Sequence, residues 1–206
     1  MKITCLFFDL GSTLIDETDV LKSRCDYAIN AKNLNRDEFM SKVCEMAQTS
    51  STAVFTAAKF YGVTLPPWNN NLEKLYPETP SVLEKLAQKY KLGIIANQVE
   101  GTQKRIDDWG IGKYFDVVVA SAEAGVAKPD SAIFKIALEK AECKPENAVM
   151  IGDRLDNDII PAKKLGMKTI WVRQAFAVYQ KVRNDEEQPD FTIDSIREIT
   201  EILLRK

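Results

Sequence analysis

The sequence of 206 residues contains no histidine. A protein without histidine cannot use a Ser-His-Asp or Cys-His nucleophile, cannot bind zinc through imidazole, and cannot transfer protons through imidazole. Any catalysis must therefore use carboxylates, lysine, hydroxyl groups, cysteine, or a metal ion bound by oxygen atoms.

Other absences narrow the class of protein further. The four cysteines, at positions 5, 25, 44 and 143, have no Cys-x-x-Cys spacing, so the sequence predicts neither a zinc site nor a redox pair. No apolar run is long enough to span a bilayer, and the amino terminus lacks a signal-peptide pattern. We therefore expect a cytoplasmic protein with reduced thiols and no membrane partner.

The charge of the chain argues against nucleic acid as a partner. Lys and Arg number 28 against 30 Asp and Glu, which gives a net charge of −2, and the basic residues are interspersed with acidic ones. Without a basic patch there is no electrostatic basis for binding a phosphate backbone. The length allows one substantial core with room for a small inserted domain.

Short apolar runs alternate with amphipathic stretches through most of the chain. Such an alternation indicates a parallel sheet with helices on both faces. The predicted strands are residues 3–8, 92–96, 117–120, 148–151, 169–172 and 191–193. The predicted helices between and after them are residues 81–90, 131–142, 157–165 and 194–204.

Residues 16–79 break this alternation. Residues 19–34, 36–48 and 52–61 each show helical spacing of apolar positions, and residues 65–71 (LPPWNNN) have the composition of a linker. The sequence therefore predicts a discontinuous α/β core domain, residues 1–15 and 80–206. A small all-helical cap domain, residues 16–79, lies between the two parts.

Polar residues follow the predicted strands at informative positions. Asp9, Asn97 and Asp153 each come directly after a strand run, and Asp158 lies five residues beyond Asp153. Because the carboxyl ends of parallel strands meet at one edge, we expect these side chains to share a crevice. Lys128 precedes a proline, which favours the first turn of a helix, so it is expected at a loop-helix junction on the same edge.

This set of residues is suited to phosphoryl transfer. Taken singly, each residue fits an ordinary turn or helix cap, but several ionised carboxylates in one crevice require a cation. Oxygen ligands and an anionic substrate favour Mg²⁺ over Ca²⁺. One carboxylate that attacks, one metal ion and Lys128 beside the phosphate would form a site that works through an aspartyl-phosphate.

Four segments of the chain resemble the motifs of the haloacid dehalogenase superfamily, in the same order. The segments are residues 7–16 (FFDLGSTLID), 92–97 (LGIIAN), 125–134 (GVAKPDSAIF) and 149–158 (VMIGDRLDND). The resemblance implies a Rossmann-like α/β core, a helical cap inserted after the first motif, and Mg²⁺-dependent hydrolysis of a small phosphorylated substrate.

The resemblance also implies a role for each matched position. Asp9 would be the nucleophile and a metal ligand, and Lys128 would orient Asp9 and the phosphate. Asp153 and Asp158 would bind Mg²⁺, together with the backbone carbonyl of Gly11.

The chain departs from the family pattern at two positions. The residue at position 11 is usually the Asp that acts as general acid and base, and glycine keeps only its carbonyl. The second motif usually has Ser or Thr at position 96, where this chain has Ala96. One hydrogen bond to the phosphate is therefore missing unless Asn97, Ser12 or a backbone N–H supplies it. Losing acid-base help typically lowers a rate by ~10²–10⁴-fold.

Three readings remain open after these departures. The first is a phosphatase, with Asp16 or a residue of the cap as the proton donor. The second is a catalytically degenerate binding or regulatory protein that keeps the fold. The third is a 2-haloacid dehalogenase, which the preserved metal ligands argue against; a phosphomutase or a phospho-receiver domain fits less well still. The sequence does not determine the oligomeric state.

Overall fold

A computed structural model describes residues 2–50 and 52–204, and its six-stranded sheet lies where the sequence predicts one. The strands are β1 (Cys5–Phe8), β2 (Ile15–Asp16), β3 (Lys74–Leu75), β4 (Lys91–Ala96), β5 (Val117–Ala120), β6 (Ala148–Gly152), β7 (Lys168–Val172) and β8 (Phe191–Ile193). Strands β5-β4-β1-β6-β7-β8 form one sheet in that order, and every pairing in it is parallel.

Helices cover both faces of this sheet. In chain order, the α-helices of the described residues are α1 (Thr18–Lys32), α2 (Arg36–Ala47), α3 (Ala53–Phe60), α4 (Thr79–Ala87), α5 (Thr102–Asp108), α6 (Ser121–Ala124), α7 (Ser131–Lys140), α8 (Ile160–Lys164) and α9 (Glu198–Leu204). On β1, Leu6 and Phe8 pack in one apolar cluster with α4 and α9, and Cys5 and Phe7 pack in another with α7. The predicted α/β fold is therefore confirmed.

Strand β1 lies at the centre of the sheet and fixes the place of the site. All four of its residues are buried, and it pairs in register with β4 on one side and β6 on the other. A strand buried on both faces and flanked on both sides needs the continuous apolar run that residues 5–8 supply. The residues that follow β1, β4 and β6 consequently emerge side by side.

Helices α1, α2 and α3 pack around an apolar cluster of their own, which includes Phe39, Val43 and Val54. Helix α2 begins where the Asn35 side chain accepts hydrogen bonds from the backbone N–H groups of residues 37 and 38. The two-stranded ribbon of β2 and β3 joins the ends of this segment, an element that the helical pattern of residues 16–79 did not predict. The division of the chain into core and cap domains stays a prediction.

Element boundaries differ from the predictions by a few residues, for identifiable reasons. Helix α7 begins at Ser131, as predicted, because the Asp130 side chain caps it by accepting from the N–H of Ala132, and it ends at Lys140 rather than at residue 142. Residues 155–159 form a wide π-helical turn ahead of α8. Helix α9 begins late because the Glu198 carboxylate holds the preceding backbone N–H groups in a turn. Within the described residues, no helix has the length and apolarity needed to cross a membrane.

Candidate active site

Three carboxylates and one lysine meet at the carboxyl ends of the central strands. One carboxylate oxygen from each of Asp9, Asp153 and Asp158 lies within 4.8 Å of the others. Lys128 Nζ donates to Asp9 Oδ1 at 2.5 Å and to Asp158 Oδ1 at 2.6 Å. All four side chains are buried, Asp158 completely. Residues far apart in the sequence thus converge at one point, as the strand-end argument predicts.

The wide turn after β6 places Asp158 in this cluster. Its Oδ2 accepts a hydrogen bond from the backbone N–H of Arg154 at 2.9 Å, which closes the turn around the carboxylate. Gly152 is required at the end of β6 because a Cβ atom there would collide with the Asp158 carboxylate. The glycine of the fourth motif therefore makes room for its last aspartate.

Asn97 holds the backbone of Lys128 in position. Its Nδ2 donates to the carbonyl of Lys128 at 2.9 Å, and its Oδ1 accepts from the N–H of Lys128 at 2.7 Å. The amide thereby fixes the loop that carries the lysine, and one of its N–H bonds remains for a substrate. The residue that follows β4 thus supports the site through the backbone of Lys128.

Burial and mutual repulsion perturb the acidic groups of the cluster. Burial raises the pKa of Asp153 well above its usual value, and the neighbouring charges of Asp9 and Asp158 raise it further. Burial also raises the pKa of Asp158 to about 6, against the opposing effect of Lys128. Burial alone would lower the pKa of Lys128, but the charges of Asp158 and Asp9 outweigh it and raise that pKa. One lysine does not compensate three buried carboxylates, which is the situation that a divalent cation corrects.

The donor set fits Mg²⁺. It offers carboxylate oxygens of the type that a hard cation binds, held close together and away from bulk water. The hydrogen bonds that Asp153 accepts, from Trp171 and Gln180, go to its backbone carbonyl and leave its carboxylate for a ligand. Asp158 already accepts from Lys128 and Arg154, so it is placed to orient the site as well as to contact a metal.

Glu17, a residue that the sequence analysis did not single out, lies beside the position of the missing acid-base aspartate. It immediately precedes helix α1, and its Oε2 accepts a hydrogen bond from Ser12 Oγ at 2.8 Å. Burial raises the pKa of Glu17 to about 7, with the charge of Asp9 adding to the effect. A carboxyl group with a pKa near neutrality can both give and take a proton at physiological pH.

The two departures from the family motifs have different surroundings. Ala96 is fully buried and offers no hydroxyl group to the site. The Ser12 hydroxyl, one of the groups expected to contact the phosphate in place of a residue at position 96, donates a hydrogen bond to Glu17. Gly11 lies at the cavity wall with its neighbours Asp9 and Ser12.

A cavity of about 400 Å³ opens above the cluster, between the strand ends and the helical segment. This volume suits a small-molecule ligand. Among the described residues between positions 16 and 79, Arg24 is the basic residue that lines the cavity. Arg36 and Lys42 instead pair with Asp26 and Glu45 on the surface. Arg24 lies over the Trp68 ring, 5.4 Å from its centroid, and both residues line the cavity.

Comparisons with known proteins agree with this arrangement. The family described as "Haloacid dehalogenase-like hydrolase" matches residues 6–172. A glyceraldehyde 3-phosphate phosphatase from Methanopyrus kandleri is 37% identical over 132 residues, which are 63% of this chain and 57% of that protein. A protein of the same name from Pyrococcus abyssi is 31% identical over 205 residues, covering 83% of this chain and 82% of that one.

A solved structure supports the fold over the whole length. The crystal structure of a HAD phosphatase from Thermococcus onnurineus superposes with a TM-score of 0.66 at 25% identity and covers 98% of both chains. The chain spans between a half and two thirds of the length of the first curated relatives that it matches.

Proposed function

Because the chain belongs to the haloacid dehalogenase-like hydrolase family, we propose that it is a Mg²⁺-dependent phosphatase that acts on a small phosphorylated metabolite. One observation carries the proposal: Lys128 bridges Asp9 and Asp158 at a cluster of buried carboxylates that faces the cavity. Structural ion pairs rarely combine a fully buried lysine with uncompensated acids at a cavity floor.

In this proposal Asp9 is the nucleophile. A carboxylate oxygen of Asp9 attacks phosphorus, the bond from phosphorus to the substrate oxygen breaks, and an aspartyl-phosphate forms. Water then attacks phosphorus and releases phosphate, which returns Asp9 to its starting state. Lys128 keeps Asp9 ionised, holds it in one orientation and balances charge on the phosphoryl group.

Mg²⁺ would be bound by Asp9 and Asp153, with the carbonyl of Gly11 and Asp158 as further ligands. It would supply the positive charge that a phosphoryl group needs during transfer. Asn97 and the backbone of the loop after β1 are the proposed phosphate contacts, with Ser12 placing Glu17. A dehalogenase needs no such cluster of metal ligands, so the third reading has no support from these residues.

The substrate class follows from the cavity and from the relatives. The cavity is small and carries positive charge at both Lys128 and Arg24, which suits a phosphorylated metabolite rather than a macromolecule. We propose that residues 16–79 act as a cap that brings Arg24 and Trp68 over the bound substrate. Glyceraldehyde 3-phosphate, which names several relatives, is the first natural compound to assay.

The direct test is hydrolysis of p-nitrophenyl phosphate with Mg²⁺, beside an Asp9→Asn variant and a chelator control. This substrate has a good leaving group and makes little demand on acid catalysis. We expect turnover in the wild type and its loss in both controls. Turnover that persists both in Asp9→Asn and with the chelator would contradict the proposal.

A second candidate function rests on Gly11 and Ala96. If the wild type binds Mg²⁺ and phosphate but turns over no phosphate ester, the protein is a degenerate binding or regulatory member of the family. Binding of Mg²⁺ is measured by calorimetry in the same preparation, so that an unfolded sample is distinguished from an inactive one.

A further inference from the structure

The space beside Gly11 is occupied by a carboxylate from another part of the chain. A Cβ atom on Gly11 would lie 2.5 Å from Glu17 Oε1, 2.9 Å from Glu17 Cδ and 3.0 Å from Glu17 Oε2. Gly11 is not among the residues with positive φ, so its backbone conformation does not require glycine. A side chain at position 11 would therefore displace the carboxylate of Glu17 from this place.

Glu17 is held in this place from two directions. Ser12 Oγ donates to Oε2 at 2.8 Å and leaves Oε1 as the oxygen nearest the position that a Cβ on Gly11 would take. The Glu17 carbonyl accepts the N–H of Leu21 at 2.9 Å, which anchors the residue at the start of α1. Glu17 also lines the cavity together with Asp9 and Lys128. Its carboxylate is therefore fixed in position beside the reacting groups.

We propose that Glu17 replaces the missing aspartate as the general acid and base of the reaction, a role that rests on the proposed phosphatase function. In the first step Asp9 forms its bond to phosphorus, the bond to the leaving oxygen breaks, and Glu17 gives its proton to that oxygen. In the second step ionised Glu17 takes a proton from the attacking water, the bond between phosphorus and Asp9 breaks, and phosphate leaves. Glu17 ends the cycle protonated, so no other reactant is needed.

This assignment explains the glycine and the glutamate together. A family motif that keeps Asp at position 11 fills the space with a side chain from its own loop. In this chain the same space is filled by the residue that immediately precedes α1, six residues later. Asp16, the other acidic residue considered from the sequence, caps the backbone N–H of Thr18 at 2.9 Å and is not among the residues that line the cavity.

The test compares two substrates that differ in their need for a proton. The variants are Glu17→Gln, which keeps the shape of the side chain, and the neighbouring control Asp16→Asn. The quantity is kcat/KM with Mg²⁺ for p-nitrophenyl phosphate and for glycerol 3-phosphate, whose alkoxide leaves poorly. For Glu17→Gln we expect a loss of ~10²–10⁴-fold with glycerol 3-phosphate and less than about tenfold with p-nitrophenyl phosphate. Asp16→Asn should leave the ratio of the two substrates unchanged.

The outcomes separate the failure of this inference from that of the phosphatase proposal. Suppose that the wild type hydrolyses both esters. If Glu17→Gln then lowers kcat/KM equally for the two esters, or for neither of them, Glu17 is not the acid and the inference is overturned. If the wild type hydrolyses neither ester, the phosphatase proposal fails first, and the inference fails with it.

Introducing an aspartate at position 11 gives a second, independent test. Gly11→Asp alone forces two carboxylates into one space and should lower activity. In the double variant Gly11→Asp with Glu17→Ala, the space is free for the new aspartate. Its activity on glycerol 3-phosphate should be at least about tenfold higher than that of Glu17→Ala. A double variant no more active than Glu17→Ala, although folded by circular dichroism, would contradict the assignment.

Discussion

Replacing Glu17 by Gln should stabilise the metal-free protein at alkaline pH. Folding raises the pKa of this carboxyl from 4.5 to about 7, so the folded state resists its ionisation. The penalty is absent below pH 4.5, where Glu17 is protonated in both states, and it grows as the pH rises to 7. The full pKa difference corresponds to about 3 kcal/mol of lost stability above pH 7.

Glutamine mimics the protonated carboxyl and should escape this penalty. In urea titrations with a chelator, Glu17→Gln should match the wild type near pH 4.5 and exceed it by about 3 kcal/mol at pH 8. In thermal melts the same difference is about 6–12 °C. Asp153 and Asp158 titrate in both proteins, so their contributions largely cancel. Equal stability of the two proteins at pH 8 would refute the claim that the Glu17 carboxylate is desolvated beside the site.

Three further predictions concern the other groups of the site. Lys128→Met should destabilise the metal-free protein by about 3–5 kcal/mol at pH 8, because Asp9 and Asp158 lose their buried partner. The loss should shrink toward pH 5 as carboxylates take up protons, and urea titrations that show no such pH dependence would contradict the ion-pair geometry. Binding of Mg²⁺ should release protons from the cluster and weaken as the pH falls below 6, because the pKa of Asp158 is about 6 and that of Asp153 is raised. Calorimetry in buffers of different ionisation enthalpy detects this release. Heats that do not depend on the buffer would argue against the cluster as the metal site. Asn97→Ala should lower kcat by about 10–100-fold with little change in Mg²⁺ affinity, since Asn97 supports the Lys128 backbone. An unchanged kcat would contradict that support, whether or not KM changes through the proposed phosphate contact.

The strand-end argument locates much of the site from sequence. Asp9 and Asp153 follow buried apolar runs, and any parallel sheet brings the ends of such runs to one edge. Lys128 and Asp158 need more than this rule, because the path of the loop before α7 and the wide turn after β6 decide where they point. Spacing and the proline after Lys128 predicted both residues near this edge, and the motif resemblance supplied their roles.

Glu17 illustrates what the sequence could not provide. It lies six residues beyond Gly11. Its distance from the place of the missing side chain depends on the turn through Ser12 and on the direction in which α1 starts. The available signal was the pair of observations that position 11 lacks a side chain and that an acid begins the next helix. The role of Asn97 was also hidden, because its partner, the Lys128 backbone, lies 31 residues away along the chain.

The most direct test of the account is to identify the covalent intermediate during turnover. Wild-type protein with Mg²⁺ and p-nitrophenyl phosphate is quenched rapidly in acid, digested and analysed by mass spectrometry, with Asp9→Asn as the matched control. The account predicts one added phosphoryl group on Asp9 and none in the control. Hydrolysis with no phosphoryl group on Asp9, or with the group on another residue, would contradict the central claim that Asp9 is the nucleophile.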